Sequence, residues 1–174
     1  MSSEQMLVAG EWCDAEDGAT SDVLNPATGE VIATTPKATL NDVERCVAAS
    51  RAALQSKDWA AIDPAQRGRI LQKMAAATYA NAKSLAALES SNNGKTFREA
   101  LSEINYGAWT LEYFSGLSDK IEGSTIPVPG NRLNYTLRQP LGVTAHIVPW
   151  NFPLQLAIRS IAPALAAGCT VIAK

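Results

Sequence analysis

Apolar positions in the first part of the chain come in short, β-like stretches. Leu7-Val8-Ala9-Gly10-Glu11-Trp12 and Val31-Ile32-Ala33-Thr34 flank a turn-rich Asn25-Pro26-Ala27-Thr28-Gly29-Glu30. The pattern then changes to helical spacing. A helix opened by Thr39 or Asn41 carries Val43, Cys46, Val47 and Leu54 on one face. Asp63-Pro64 reads as a cap followed by a first-turn proline, opening a helix with Ile70, Leu71 and Met74 that runs on through an alanine-rich stretch to Leu85 and Leu88. Asn92-Asn93-Gly94 stops it, and Phe97, Leu101, Ile104, Ala108 and Leu111 mark one more helix.

From Gly123 the chain turns β-like again. Ile126-Pro127-Val128 and Leu133-Asn134-Tyr135-Thr136-Leu137 surround Pro129-Gly130-Asn131 and predict two strands joined by a turn. The two prolines confine the first strand to an edge, because each removes a ladder donor. Val143-Thr144-Ala145-His146-Ile147-Val148 is a β-branched run ended by Pro149-Trp150-Asn151-Phe152. Pro153 then starts a helix with Leu154, Leu156, Ala157, Ile161 and Leu165, Gly168 ends it, and Thr170-Val171-Ile172-Ala173 begins another strand. Strand, helix, strand at this spacing is a βαβ unit, with parallel strands and a right-handed crossover.

Parallel strands bring their carboxyl ends to one edge of a sheet, where open α/β folds bind ligands. Trp150 and Asn151 follow the first strand and Lys174 follows the second. An aromatic ring, a carboxamide and a cation are thereby aimed at one crevice beside a helix N-terminus, which suits a phosphate-bearing ligand. Neither a GxGxxG fingerprint nor a Walker sequence is present. Taken alone, Trp150 suits core packing, and Asn151 suits a helix cap better than it suits catalytic work.

Composition narrows the classes. Of 174 residues, 47% are hydrophobic and 18% charged, and the formal net charge is −2, so neither nucleic acid nor an anionic membrane is expected as a partner. No run reaches the roughly 18 apolar residues that span a bilayer. Met1-Ser2-Ser3-Glu4-Gln5 has no basic region and no apolar core, and Cys13, Cys46 and Cys169 form no CxxC pair; the expected location is cytoplasmic, with reduced thiols. Cys169 reads as a small buried hydrophobe and not as a nucleophile, His146 as a packed core histidine, and no metal constellation is present.

Pro149-Trp150-Asn151-Phe152-Pro153-Leu154, followed by Pro163-Ala164-Leu165-Ala166-Ala167-Gly168-Cys169-Thr170-Val171-Ile172-Ala173-Lys174, closely resembles the aldehyde dehydrogenase superfamily. So do Asn25 to Glu30, Gly94-Lys95, and Tyr135-Thr136 leading to Pro140-Leu141-Gly142-Val143, all in the family's order from about Leu7 to the last residue. The resemblance implies that Asn151 donates a side-chain N–H to the oxyanion of a thiohemiacetal. It implies that Ile147, Val148, Pro149 and Trp150 line the cleft for NAD or NADP, and that Lys174 binds the adenosine ribose hydroxyls. Ser160, beside Arg159, stands where many members carry a lysine that serves a proton path, so no such path is expected here.

The fold this implies is α/β: the N-terminal part of the aldehyde dehydrogenase fold, with helices, the start of a parallel Rossmann-like sheet and an oligomerisation hairpin. Residues 1–122 would be the helical and β part of the cofactor-binding domain, 123–140 the hairpin, and 141–174 its first βαβ unit. The catalytic domain, with its nucleophilic cysteine, general-base glutamate and glycine-containing cofactor turn, would lie downstream. The implied function is an N-terminal fragment of an enzyme that oxidises a small-molecule aldehyde to a carboxylic acid and assembles as a homo-oligomer, dimer or tetramer. The chain by itself is expected to be inactive. The alternatives are an inactive oligomerisation fragment or an acyl-reducing member of the same superfamily.

Overall fold

The computed structural model describes residues 2–174. Three strands form a small sheet near the N-terminus: β1 (Ser2–Ser3) lies parallel to β5 (Val31–Pro36), which pairs antiparallel with β4 (Thr20–Leu24). A separate ribbon pairs β2 (Met6–Val8) with β3 (Glu11–Cys13). The stretch Leu7 to Trp12 is therefore a hairpin and not one strand. Ala9 and Gly10 both have positive φ, 54° and 85°, the sign pattern that two-residue hairpin turns need at both central positions.

Helix α1 (Leu40–Gln55) is capped by Thr39, as the sequence pattern allowed. Thr39 Oγ1 accepts from the Asp42 N–H at 3.2 Å, while Asp42 accepts from the Thr39 N–H at 2.9 Å, a capping box. The same carboxylate accepts from the Glu16 N–H at 3.2 Å and from Arg45 at 3.1 Å, which ties the strand region to the helix. The Thr39 amide, helped by the Glu16 amide, the Thr39 hydroxyl and Arg45, outweighs burial and lowers the Asp42 pKa. A carboxylate lowered in this way adds stability above its ordinary pKa near 4 and loses it as pH falls through the lowered value. Asp42→Asn in the complete protein should therefore lower Tm at neutral pH, with the gap closing on acidification below about pH 4; a gap unchanged across that window would contradict this role.

After the short α2 (Lys57–Ala60), helix α3 (Pro64–Ala80) begins at the expected Asp63 cap, and α5 (Phe97–Ser115) lies where its apolar spacing placed it. The expected continuous helix through Leu88 is broken: α4 (Ala82–Asn93) is separate. Asn81 is the reason. Its Nδ2 bonds the Ala77 carbonyl at 2.8 Å, competing with the helical ladder, and its own backbone leaves helical geometry at φ −104°, ψ 10°.

Helix α5 is the hub, packed by α3, α4 and α6 (Pro153–Ala166). One core cluster joins Leu71, Ala75, Leu111, Ile158 and Ala162; a second joins Ala82, Ala86, Ala100 and Ile104. Each fully buried leucine or isoleucine contributes about 1.5–3 kcal/mol by transfer from water.

Helix α6 connects β8 (Val143–His146) to β9 (Thr170–Ala173), which pair in parallel from Val143↔Thr170 to His146↔Ala173. This is the expected βαβ unit. Its helix-to-strand turn is fixed by Gly168, where a φ of +88° disfavours any side chain and an added Cβ would lie 3.0 Å from Pro140 Cγ. Trp59 Nε1 donates to the Gly168 carbonyl at 3.0 Å and Arg67 Nε to the Ala166 carbonyl at 3.3 Å, fastening the unit to the helical layer.

The remaining ribbon, β6 (Thr125–Ile126) with β7 (Asn134–Tyr135), is antiparallel and exposed on all four residues. It is shorter than the expected strands because Pro127 and Pro129 have no N–H to extend the ladder. Among the described residues no helix is long and apolar enough to cross a membrane.

Candidate functional site

The carboxyl ends of β8 and β9 continue to pair beyond the strands. Lys174 N–H donates to the His146 carbonyl at 2.9 Å, and Val148 N–H donates to the Lys174 carbonyl at 2.7 Å. Lys174 is thus bonded beside Ile147 and Val148, and Pro149, Trp150 and Asn151 follow at the same edge. All six sequence-predicted residues are brought together. Ile147 is 86% and Trp150 78% exposed, Pro149, Asn151 and Lys174 are exposed, and Val148 is half-buried. Two large apolar side chains left open at a strand edge mark a surface built to be covered.

The cap reading of Asn151 does not hold. The N-cap of α6 is Phe152, with no side-chain cap hydrogen bond, and Pro153 opens the first turn. The N-terminal N–H groups of α6 are therefore free of a side-chain acceptor, beside a carboxamide that is not engaged in capping.

The loop itself is held from behind. Asn93 Nδ2 donates to the Trp150 carbonyl at 2.7 Å, and Lys95 Nζ donates to the Asn151 carbonyl at 2.9 Å. The Lys95 ammonium also lies 4.6 Å from the centre of the Phe152 ring and bonds Glu89, at 3.1 Å, and Glu103. Burial raises the Glu89 pKa, helped by its contact with Glu103 and opposed by Lys95. Burial alone would lower the Lys95 pKa, but its hydrogen bonds to Glu103 and Glu89 turn the net shift upward, so the lysine stays charged. Gly94-Lys95 carries no role in the sequence reading beyond its place in the family resemblance. Glu89, Lys95 and Glu103 each look like solvated charges on their own, and only the packing of α4 on α5 makes them a cluster.

Other motifs also meet in space. A side chain at Gly94 would strike Pro26 Cγ at 2.9 Å, joining the Asn25–Glu30 turn to the Lys95 turn, just as Pro140 meets Gly168. Cys169 is buried, as expected, and Cys13 and Cys46 are half-buried and free. Among the described residues the one side-chain hydrogen bond to a cysteine comes from Arg45, a cation and no base, to Cys13 at 3.7 Å. His146 is half-buried and not core-packed, its Nε2 2.9 Å from Thr144 Oγ1. A strand of a two-stranded sheet has too few neighbours to enclose it. Ser160 turns its hydroxyl back onto the Leu156 and Ala157 carbonyls of its own helix.

Comparison with known proteins agrees with the fold and with the family resemblance. Residues 12–174 match the aldehyde dehydrogenase family. Hydroxyisobutyraldehyde dehydrogenase of Mycolicibacterium austroafricanum is 43% identical over 97% of this chain and 33% of its own length. The crystal structure of an aldehyde dehydrogenase from Brucella melitensis biovar abortus superimposes with a TM-score of 0.94 at 43% identity, covering 98% of this chain and 35% of that one. Betaine aldehyde dehydrogenase of Staphylococcus aureus, solved in complex with NAD+, gives 0.94 at 34% identity, again over 98% of this chain and 34% of that one. The chain spans about a third of the length of the relatives it matches. With the order of its motifs, its α/β fold and these matches in agreement, the chain belongs to the aldehyde dehydrogenase family.

Proposed function

We propose that the complete protein containing these residues oxidises an aldehyde to a carboxylic acid with NAD or NADP. The observation that carries this reading is the convergence of exposed Ile147, Trp150, Asn151 and Lys174 at one sheet edge, beside a helix N-terminus with no side-chain cap. These residues fit a dinucleotide. The apolar faces of Ile147 and Trp150 suit flat rings, Lys174 supplies a donor for ribose hydroxyls, and the free N–H groups of α6 favour negative charge. Staphylococcus aureus betaine aldehyde dehydrogenase, about a third of which superimposes on this chain, was solved in complex with NAD+.

In this reading Asn151 donates its carboxamide N–H to the oxygen that becomes negative when a cysteine thiolate adds to the aldehyde carbon. A donor aimed there stabilises charge that develops only during reaction. The bound nicotinamide supplies the two-electron acceptor. Residues 147–150 hold it at the edge, and Lys174 anchors its adenosine end. Residues 1–122 and 141–174 then belong to the cofactor-binding domain, and residues 123–140 form the hairpin through which subunits associate as a dimer or tetramer in the cytoplasm.

The test is the complete protein with a panel of aldehydes and either nicotinamide cofactor. Aldehyde-dependent formation of reduced cofactor, with one carboxylic acid formed per cofactor reduced, is expected. Turnover only in the direction from an activated acyl group to an aldehyde would contradict the reading. Lys174→Ala should weaken cofactor binding by about 1–3 kcal/mol, the range for a charge-assisted hydrogen bond; unchanged affinity by titration calorimetry would remove Lys174 from the site.

A further inference from the structure

The peptide groups on either side of Asn151 are both pinned by side chains from one turn. Asn93 Nδ2 holds the Trp150 carbonyl at 2.7 Å and Lys95 Nζ holds the Asn151 carbonyl at 2.9 Å. Each peptide group is planar, so fixing two successive carbonyls fixes two successive planes. Those planes determine the φ and ψ of Asn151, and with them the direction of its Cα–Cβ bond. The loop has no other regular restraint, because it lies between the last strand pairing of β8 and the first turn of α6.

The lysine that does the pinning is itself over-determined. Its side chain is only 10% exposed, clamped between Glu89, 5% exposed, and Glu103, 13% exposed, with the Phe152 ring against the ammonium. A buried ammonium with two carboxylates and one carbonyl has all three of its N–H groups engaged. Gly94, at φ +83°, stands between Asn93 and Lys95 and sends both side chains to the same loop.

We propose that Lys95, braced by Glu89 and Glu103 and assisted by Asn93, is a positioning residue that sets the aim of the Asn151 carboxamide. This rests on the reading of Asn151 as the oxyanion donor. Lys95 touches neither substrate nor cofactor in this role; it acts through the backbone of residues 150–152.

The experiment is a double-mutant cycle in the complete enzyme, with kcat, KM, cofactor Kd and Tm measured for Lys95→Met, Asn151→Ala and the pair. Lys95→Met should lower kcat about tenfold to a hundredfold, the scale of a loss of alignment by roughly an ångström, with cofactor Kd unchanged. In the Asn151→Ala background the same substitution should cost little more in kcat, because there is no longer a donor to aim. Asn93→Ala, which removes one neutral hydrogen bond and no buried charge, should show the same pattern more weakly and decides the matter if Lys95→Met does not fold. If Asn151→Ala itself leaves kcat intact, the oxyanion reading fails. If Asn151→Ala lowers kcat but Lys95→Met and Asn93→Ala lower only Tm, or their kcat losses multiply independently with that of Asn151→Ala, the positioning role is overturned while the donor stands.

Discussion

Asn151→Ala in the complete enzyme should lower kcat by about 10²–10³-fold, the usual loss when one oxyanion donor is removed. Cofactor affinity should remain near that of the wild type, because the residues read as cofactor-facing are its neighbours and not Asn151 itself. The structure sharpens this expectation. Asparagine before a helix is commonly a cap, and loss of a cap costs about 1 kcal/mol of stability with no kinetic signature. Here the cap position is Phe152, so Asn151→Ala removes no capping hydrogen bond. The exposed side chain also leaves no cavity behind. A variant with normal kcat and a lower Tm would return Asn151 to a structural role.

Tyr135→Pro should dissociate the assembly into folded, smaller species. The ribbon β6–β7 pairs Thr125 with Tyr135 and Ile126 with Asn134, and two such residue pairs cannot hold a free hairpin together in water. Leu133 and Leu137, which flank β7, and Tyr135 within it are 75%, 72% and 56% exposed. Exposed apolar side chains grouped in this way suit a surface that another subunit covers. Pro127 and Pro129 blunt the first strand, which leaves the second as the one able to extend a sheet, and in a homo-oligomer symmetry repeats that pairing. Light scattering reads the mass, and far-ultraviolet circular dichroism confirms that the smaller species is folded. Wild-type mass with earlier melting would mean that the hairpin serves only its own subunit.

Much of the architecture was legible from local signals. Asp63-Pro64, Asn93-Gly94 and the Phe97–Leu111 spacing lie where α3 begins, α4 ends and α5 runs, because caps and 3.6-residue periodicity act within a turn or two. The βαβ unit was legible for the same reason, and with it the edge that gathers Ile147 to Asn151 and Lys174. What local pattern missed depends on competition or on distance. Asn81 breaks a helix that composition would continue, because its amide bonds the Ala77 carbonyl. The brace of Glu89, Lys95 and Glu103 joins side chains from two helices and the turn between them, and no periodicity within either helix announces it. The roles proposed for Asn151 and Lys174 rest on family resemblance; spacing alone offers a crevice suited to an anion and no chemistry.

In the proposed function, one sheet edge presents both a cofactor surface and an oxyanion donor. This is tested most directly by a crystal structure of the complete protein with NAD or NADP bound and an aldehyde trapped as its cysteine adduct. Asn151 Nδ2 is expected about 2.7–3.1 Å from the adduct oxygen, with the cofactor along Ile147 to Trp150 and Lys174 Nζ on its ribose. An adduct oxygen held by other donors with Asn151 beyond hydrogen-bond reach, or a cofactor bound away from this edge, would contradict it.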